Sequence, residues 1–299
     1  MLNDPRYLNL KKYLSENLSF LADKPEETVE STLAAFWLTA SGTPVSVEKA
    51  ITMQLPELSA DQFNNLQELI QKRLNNTPVA HITGRQQFLG IELLSDKRAL
   101  IPRKETEMLG NKALDLAKQI GLSVDNPLVM DICCGAGNLG VALACFNPKA
   151  KVFATDLSAE AVELTSENIT FLGLNNRVHA SQGDLFSAFD TDEYYNKVDL
   201  VVCNPPYISS AKVSKMNAEI AQNEPVLAFD GGMLGTKIIL RLIGESPKFL
   251  KSGAWLVFEI GLGQGPFILQ LCERSENYSE AGAVEDSAGN IRAIFARRK

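Results

Sequence analysis

Apolar positions in the first quarter of the chain recur at intervals of three and four residues. They do so in Tyr7-Leu8-Leu10-Tyr13-Leu14-Leu18, in Leu33-Phe36-Trp37-Leu38 and in Phe63-Leu66-Leu69-Ile70, each set beside polar residues. The interval matches the ~3.6-residue turn of an amphipathic helix. Pro25, Pro44 and Pro56 punctuate the pattern, and Ser59 or Asp61 can cap the last helix by accepting from its free N–H groups. A bundle of four or five short helices is therefore predicted over residues 1–76. From Pro78 to Leu100 the texture changes. Val79-Ala80-His81-Ile82-Thr83 and Phe88-Leu89-Gly90-Ile91-Glu92-Leu93-Leu94 read as short β-type runs, so a linking hairpin is expected over 77–100.

Beyond Ile101 strand-like and helix-like stretches alternate. Strands are expected at 128–132, 151–155, 177–180, 198–203, 254–260 and 291–296, with helices from Leu139, over 159–172 and near 238–250. This rhythm predicts an α/β fold over 101–299: an open, doubly wound, mostly parallel sheet of Rossmann-like type, with its ligand site at the carboxyl ends of the strands. The helical domain carries no catalytic constellation, which leaves it the task of substrate recognition.

Composition removes several function classes. Twenty-nine Lys and Arg against 36 Asp and Glu give a net charge of −7, a poor electrostatic footprint for holding nucleic acid, so no stable nucleic-acid binding is expected. The basic cluster Arg292, Arg297, Arg298 and Lys299 reads as a solvated tail. No apolar run approaches the ~20 residues that cross a bilayer, and Met1-Leu2-Asn3-Asp4-Pro5 lacks the layout of a signal peptide. A cytoplasmic enzyme without a membrane role is the expectation. Five cysteines with no repeated C-x-x-C spacing argue against a disulfide framework and a zinc site. Two histidines, His81 and His179, are too few for metal or triad chemistry and read as satisfied structural residues, so no metal is expected.

The first strand runs into Asp131-Ile132-Cys133-Cys134-Gly135-Ala136-Gly137-Asn138-Leu139-Gly140. Gly135, Gly137 and Gly140 match G-x-G-x-x-G, and Asp156, followed by Leu157, lies near the ~20-residue spacing of a dinucleotide fingerprint. Taken alone the loop favours a nicotinamide enzyme. Asp131 shifts the balance, because a carboxylate at the strand end repels a pyrophosphate but attracts the α-ammonium of a methionyl group. A second acidic element, Gly183-Asp184-Leu185-Phe186, falls where an adenine edge would be read. The strongest feature follows the strand 198–203, which ends in Asn204-Pro205-Pro206-Tyr207. The Asn204 side-chain oxygen and the Pro205 carbonyl can each accept one N–H of an NH2 group. Two prolines hold the carbonyl direction without competing donors, and Tyr207 can lay its ring on a planar acceptor. Such groups aim a nitrogen lone pair at the methyl of S-adenosylmethionine, and positioning of this kind supplies much of the catalysis.

These residues resemble the HemK/PrmC-type protein-glutamine methyltransferases, which modify the Gly-Gly-Gln motif of peptide-chain release factors. The resemblance covers roughly residues 65–299 and, more loosely, the helical domain. It is carried by Arg73-x4-Pro78-Val79-Ala80-x-Ile82-x-Gly84, Phe88-x-Gly90, Ile101-Pro102-Arg103-x-Glu105-Thr106-Glu107, the glycine loop and Asn204-Pro205-Pro206-Tyr207-Ile208. Glu224-Pro225 with Gly231-Gly232, Glu259-Ile260-Gly261-x2-Gln264-Gly265 and Ala288-Gly289-Asn290-Ile291-Arg292 complete it. It implies that Asn204 to Tyr207 contact a glutamine, that Cys133 to Gly137, Asp156 and the region of Leu185 hold the cofactor, and that a release factor is the protein partner. Lys104 replaces a proline of the family, Cys133 replaces the first loop glycine, Leu185 stands where an aromatic residue is sometimes seen, and Met233-Leu234 replaces acidic residues. Another protein or small-molecule nitrogen, an exocyclic amino group of a nucleic-acid base, and a catalytically idle binding module are the competing readings. The last is at odds with the presence of every core element.

Overall fold

The computed structural model describes residues 5–299. The chain forms two compact units: one contains the residues up to Lys97 with Ile101–Lys104 and Asn217–Glu224, the other Arg98–Leu100, Glu105–Met216 and Pro225–Lys299.

The first unit begins with five helices, α1 (Pro5–Asn17), α2 (Val29–Ala40), α3 (Val47–Ala50), α4 (Ala60–Leu74) and α5 (Val79–Thr83), followed by an antiparallel hairpin of β1 (Arg85–Phe88) and β2 (Ile91–Leu94). Thr28 caps α2 in a reciprocal pair with Ser31, and Ser59, rather than Asp61, caps α4 in the same way with Gln62. Trp37 anchors the core, with Tyr7 and Phe63 edge-on to its ring and its indole N–H donating to the Pro56 carbonyl at 2.7 Å. Val79–Thr83 is a helix, not the strand expected from its β-branched residues. Burial of Val79, Ala80 and Thr83 on one side and a back-bond from the Thr83 hydroxyl to the Val79 carbonyl outweigh the local β-propensity. The hairpin itself lies further along, in β1 and β2.

A cluster of buried charges completes this unit. Lys24 and Arg73 both reach Glu219, at 3.0 and 2.9 Å, and Arg103 reaches Glu224 at 2.6 Å and Asp23 at 2.9 Å. Lys104 pairs with Glu48 at 2.9 Å. His81 is held below its usual pKa by burial, and its Nε2 is buried without a partner among the described residues, so it is not the fully satisfied histidine expected.

The second unit runs α6 (Thr106–Ile120), β3 (Leu128–Ile132), α7 (Asn138–Phe146), β4 (Lys151–Asp156), α8 (Ala159–Phe171), β5 (Val178–Gln182), β6 (Val198–Cys203) and α9 (Ser210–Val213). The chain next supplies α10 (Ala218–Asn223), which belongs to the first unit, and returns with α11 (Lys237–Glu245), β7 (Leu250–Glu259), α12 (Gly265–Arg274), β8 (Tyr278–Glu285) and β9 (Ile291–Arg298). The seven strands lie in the order β5-β4-β3-β6-β7-β9-β8. All neighbours from β5 to β7 are parallel, while β9 and β8 run antiparallel. This is the expected Rossmann-like sheet. Met130 and Ile132 of β3 pack in a core with Ile239, Leu242 and Ile243 of α11 and Ile268 and Cys272 of α12. By strand alternation Asp131 faces the other side, where α7 lies. The basic cluster at the end of the chain is not a solvated tail: it falls in and beside β9, with Arg292 buried and Arg297 bonded to the Gly253 carbonyl.

Candidate active site

Strand order reverses between β3 and β6, so the crevice outside their carboxyl ends is the ligand position of such a sheet. The parallel register pairs Ile132 with Cys203. The next residue on each strand, Cys133 and Asn204, therefore leaves the sheet side by side, at the ~4.8 Å separation of neighbouring strands. The same register carries across β4 and β5, where Ile132 pairs with Thr155, and Asp156 with Gln182. The glycine loop, Asp156 and the Gly183-Asp184-Leu185 turn thus stand at three successive strand ends.

The loop after β3 has three residues in the left-handed region, Cys133 at φ 59°, Gly135 at 54° and Gly137 at 81°. For Cys133 this backbone is costly, roughly 1–2 kcal/mol, which explains why a glycine suits the position. Its side chain packs against the core that contains Cys203, while the Cys134 thiol lies 3.6 Å from the Thr165 hydroxyl. Gly137 is fixed by packing as well, because a Cβ there would lie 2.8 Å from the Thr165 methyl. Gly135 faces open space.

Asp131 is fully buried. Its Oδ2 accepts the Gly140 N–H at 2.8 Å, its Oδ1 has no partner among the described residues, and burial pushes its carboxyl up to about 7. Asp156 accepts the Gly135 N–H at 2.9 Å through Oδ2 and the Ser158 N–H at 2.9 Å through Oδ1. Burial raises its pKa against these bonds, and a carboxylate has about four acceptor positions, so capacity remains for hydroxyl donors. An orphaned acidic oxygen, a second carboxylate with spare acceptor capacity and an open backbone loop fit a ligand carrying an ammonium and a ribose. Ala136 is buried, and Leu157 is exposed beside Asp156. Leu185 is buried with φ 51°, whereas Asp184 is exposed and engaged by Arg241 Nη1 at 2.9 and 3.0 Å.

At the end of β6, the Asn204–Tyr207 turn is gripped by segments distant in sequence. Gly231 has no Cβ because the Pro206 and Gly235 carbonyl oxygens would lie 2.6 and 2.7 Å from it, and a Cβ on Gly235 would collide with the Tyr207 carbonyl. Gln264 donates to the carbonyls of Tyr207 and Gly235, both at 3.1 Å, and accepts from the Gly261 N–H at 2.9 Å. The Tyr207 hydroxyl donates to Glu259 Oε1 at 2.8 Å, with Glu105 Oε1 at 3.4 Å. Arg292 Nη2 holds the other oxygen of Glu105 at 2.6 Å. The Asn204 NH2 donates to the Thr106 hydroxyl at 3.2 Å. Burial raises Glu259 to about 7, and burial together with the two carboxylates holds the Tyr207 phenol well above its usual range. Residue-type reasoning assigned no role to Glu105, Thr106, Glu259, Gln264 or Arg292, although each lies in a family segment. The signal was their co-occurrence with Asn204–Tyr207; their meeting in space was not readable.

A Rossmann-like sheet with these loops at its switch point defines a methyltransferase with S-adenosylmethionine as methyl donor, and comparison with known proteins agrees. Residues 107–236 match the methyltransferase small domain, and residues 17–84 match the PrmC N-terminal domain. The hMettl16 catalytic domain, solved in complex with MAT2A 3'UTR hairpin 6, superposes with a TM-score of 0.51 at 15% identity over 77% of this chain and 91% of that one. A human methyltransferase 10 domain containing protein gives 0.50 at 15% identity over 80% and 98%. Both show the fold. A release factor glutamine methyltransferase from Rhodopirellula baltica is 33% identical over 231 residues, 77% of each chain, and one from Bacillus subtilis is 30% identical over 286 residues, 95% of this chain and 98% of its own. The chain belongs to the release factor glutamine methyltransferase family.

Proposed function

We propose that the protein methylates the side-chain amide nitrogen of a glutamine in the Gly-Gly-Gln motif of a peptide-chain release factor, acting in the cytoplasm. The observation that carries this reading is the β3–β6 register, which sets the Asn204–Tyr207 turn directly beside the Cys133–Gly137 loop. Asp131, Cys133, Cys134, Gly135, Ala136, Gly137, Asp156 and Leu157, with Asp184 and Leu185 at the next strand end, form the cofactor side. Bound S-adenosylmethionine supplies a methyl group activated by a sulfonium.

A glutamine amide is a weak nucleophile because its lone pair is delocalised into the carbonyl. Asn204 Oδ1 and the Pro205 carbonyl each accept one of its N–H groups, which presents the lone pair to the methyl carbon and excludes water from it. Tyr207 supports the amide plane. As nitrogen takes the methyl carbon, the carbon–sulfur bond would break with its electron pair on sulfur, and the nitrogen's proton would leave along the hydrogen bond to Asn204 Oδ1 or the Pro205 carbonyl and pass from there to solvent. No dedicated base is required, since methylation makes that nitrogen acidic. The helical unit supplies contact area for selectivity that a three-residue motif lacks. Incubation with methyl-labelled cofactor and an intact release factor tests the reading. Label should enter the wild-type factor and be absent when the motif glutamine is changed to alanine. Equal labelling of both would overturn it.

A further inference from the structure

We propose that the segment Glu259-x-Gly261-x2-Gln264 is a clamp that fixes the ring of Tyr207, with Glu259 as the positioning residue that sets its direction; this rests on the role given to Tyr207 above. A tyrosine ring turns on two single bonds, and a change of rotamer carries its face away from whatever lies on it. Holding that face against an amide plane therefore needs a point of attachment beyond the Cα.

Three contacts supply it, all from the last residue of β7 and the turn that follows. The Tyr207 hydroxyl donates to the buried Glu259 at 2.8 Å through Oε1. A Cβ on Gly261 would stand 3.1 Å from the ring's Cδ2, inside ordinary contact, so the ring edge lies on bare backbone. Gln264 donates to the Tyr207 main-chain carbonyl at 3.1 Å. Hydroxyl, ring edge and backbone are thus held by one segment. The ring is only partly buried, which leaves part of its surface open to an acceptor.

The second carboxylate near the ring shows why Glu259 is the anchor. A tyrosine hydroxyl has a single proton to give. Glu105 Oε1 lies 3.4 Å away, beyond the ~2.5–3.0 Å of a good O–H···O bond, and the other Glu105 oxygen is held by Arg292 Nη2 at 2.6 Å. The proton therefore goes to the shorter contact, on Glu259. Burial together with the two carboxylates holds the phenol well above its usual range, so the hydroxyl stays a donor. With that proton committed, the hydroxyl is not free to take the amide proton, and Tyr207 acts through its ring.

Rates and structures of a small set of variants test the clamp. Glu259→Leu keeps the bulk and removes the acceptor, so kcat on an intact release factor should fall at least ~10-fold, with S-adenosylhomocysteine affinity unchanged in calorimetry. Glu259→Gln, whose amide oxygen still accepts, should recover most of that loss. Tyr207→Phe keeps the ring and loses the tether, so it should match Glu259→Leu, and the double variant should be no slower than either single one, since both remove the same bond. A wild-type kcat in Glu259→Leu, or losses that multiply in the double variant, would overturn the clamp. Crystal structures with S-adenosylhomocysteine need no acceptor: Tyr207 should keep its rotamer in Glu259→Gln and leave it in Glu259→Leu. If the wild type leaves release factors unmethylated, the substrate reading fails and these structures still decide the clamp; a Tyr207 ring unmoved in Glu259→Leu refutes it.

Discussion

Gly231→Ala tests whether the acceptor turn works by close positioning. The φ angle of Gly231 lies outside the left-handed region, so alanine is not strained by the backbone conformation. Crowding alone is introduced. The new Cβ would stand 2.6 Å from the Pro206 oxygen and 2.7 Å from the Gly235 oxygen, where ordinary contact begins at 3.4 Å. Both neighbours are main chain, so the deficit of about 0.8 Å must be met by moving the backbone around Pro206 or Gly235 rather than by a side-chain rotation. A displacement near 1 Å in a positioned reacting group costs on the order of 100-fold. A kcat lower by roughly 10–100-fold is therefore expected, with S-adenosylhomocysteine affinity nearly unchanged because β3 and its loop are not touched. Initial rates at saturating cofactor, paired with calorimetry on the same preparation, make the measurement. A normal kcat would refute the close-approach argument, and a parallel loss of cofactor binding would show that the glycine supports the whole domain instead.

Asp156→Ala should weaken cofactor binding by about 1–3 kcal/mol, the scale of lost charge-assisted hydrogen bonds, as read by calorimetry. Asn204→Ala should keep most cofactor affinity and lose at least ~100-fold in transfer, and normal turnover would reduce the Asn204–Tyr207 segment to a structural turn. Glu27 is buried beside Lys24 and Arg73, at 3.9 and 3.6 Å, and burial pushes its carboxyl up to about 7. Folding thus favours the protonated form, so its contribution to stability is full below about pH 4.5 and is lost as pH rises through 7. Glu27→Gln, neutral throughout, should be about 1–3 kcal/mol more stable than wild type at a pH of roughly 8 and equal to it at about 4, as measured by denaturant unfolding.

The residues that make local structure announced it. Apolar spacing gave the helices around Trp37 and Leu66, Ser59 marked the start of α4, and the alternating texture after Leu128 gave the parallel strands in order. Where tertiary forces outvote local ones, the pattern misled. Val79–Thr83 has β-branched residues yet is helical, because its buried face and the Thr83 back-bond decide. Edge strand β8 is mixed in character and only one of its residues, Tyr278, is buried, so it carries little of the alternation that marks a strand. Helix α6 has a clear apolar face, Leu109, Ala113, Leu116 and Ala117, that the strand-centred pattern of this region obscured.

The candidate site divides in the same way. Asp131, the glycine loop and Asn204–Tyr207 are contiguous motifs, so residue types alone singled them out as candidates, and the fold brings them to neighbouring strand ends. The supports are not contiguous: Arg292 lies 187 residues from Glu105, and Tyr207 lies 52 from Glu259. Only the fold brings them to one turn. Asp184 likewise has a partner that no local pattern announces: its side chain is held by Arg241 on α11.

The most direct test of the central claim is where the methyl group goes. After incubation of the full chain with S-adenosylmethionine and an intact release factor, tandem mass spectrometry of the digested factor should find one added methyl on the side-chain amide of the Gly-Gly-Gln glutamine. A methyl group on another residue of the factor, or a factor left unmodified while the enzyme methylates a nucleobase or a small amine, would contradict it.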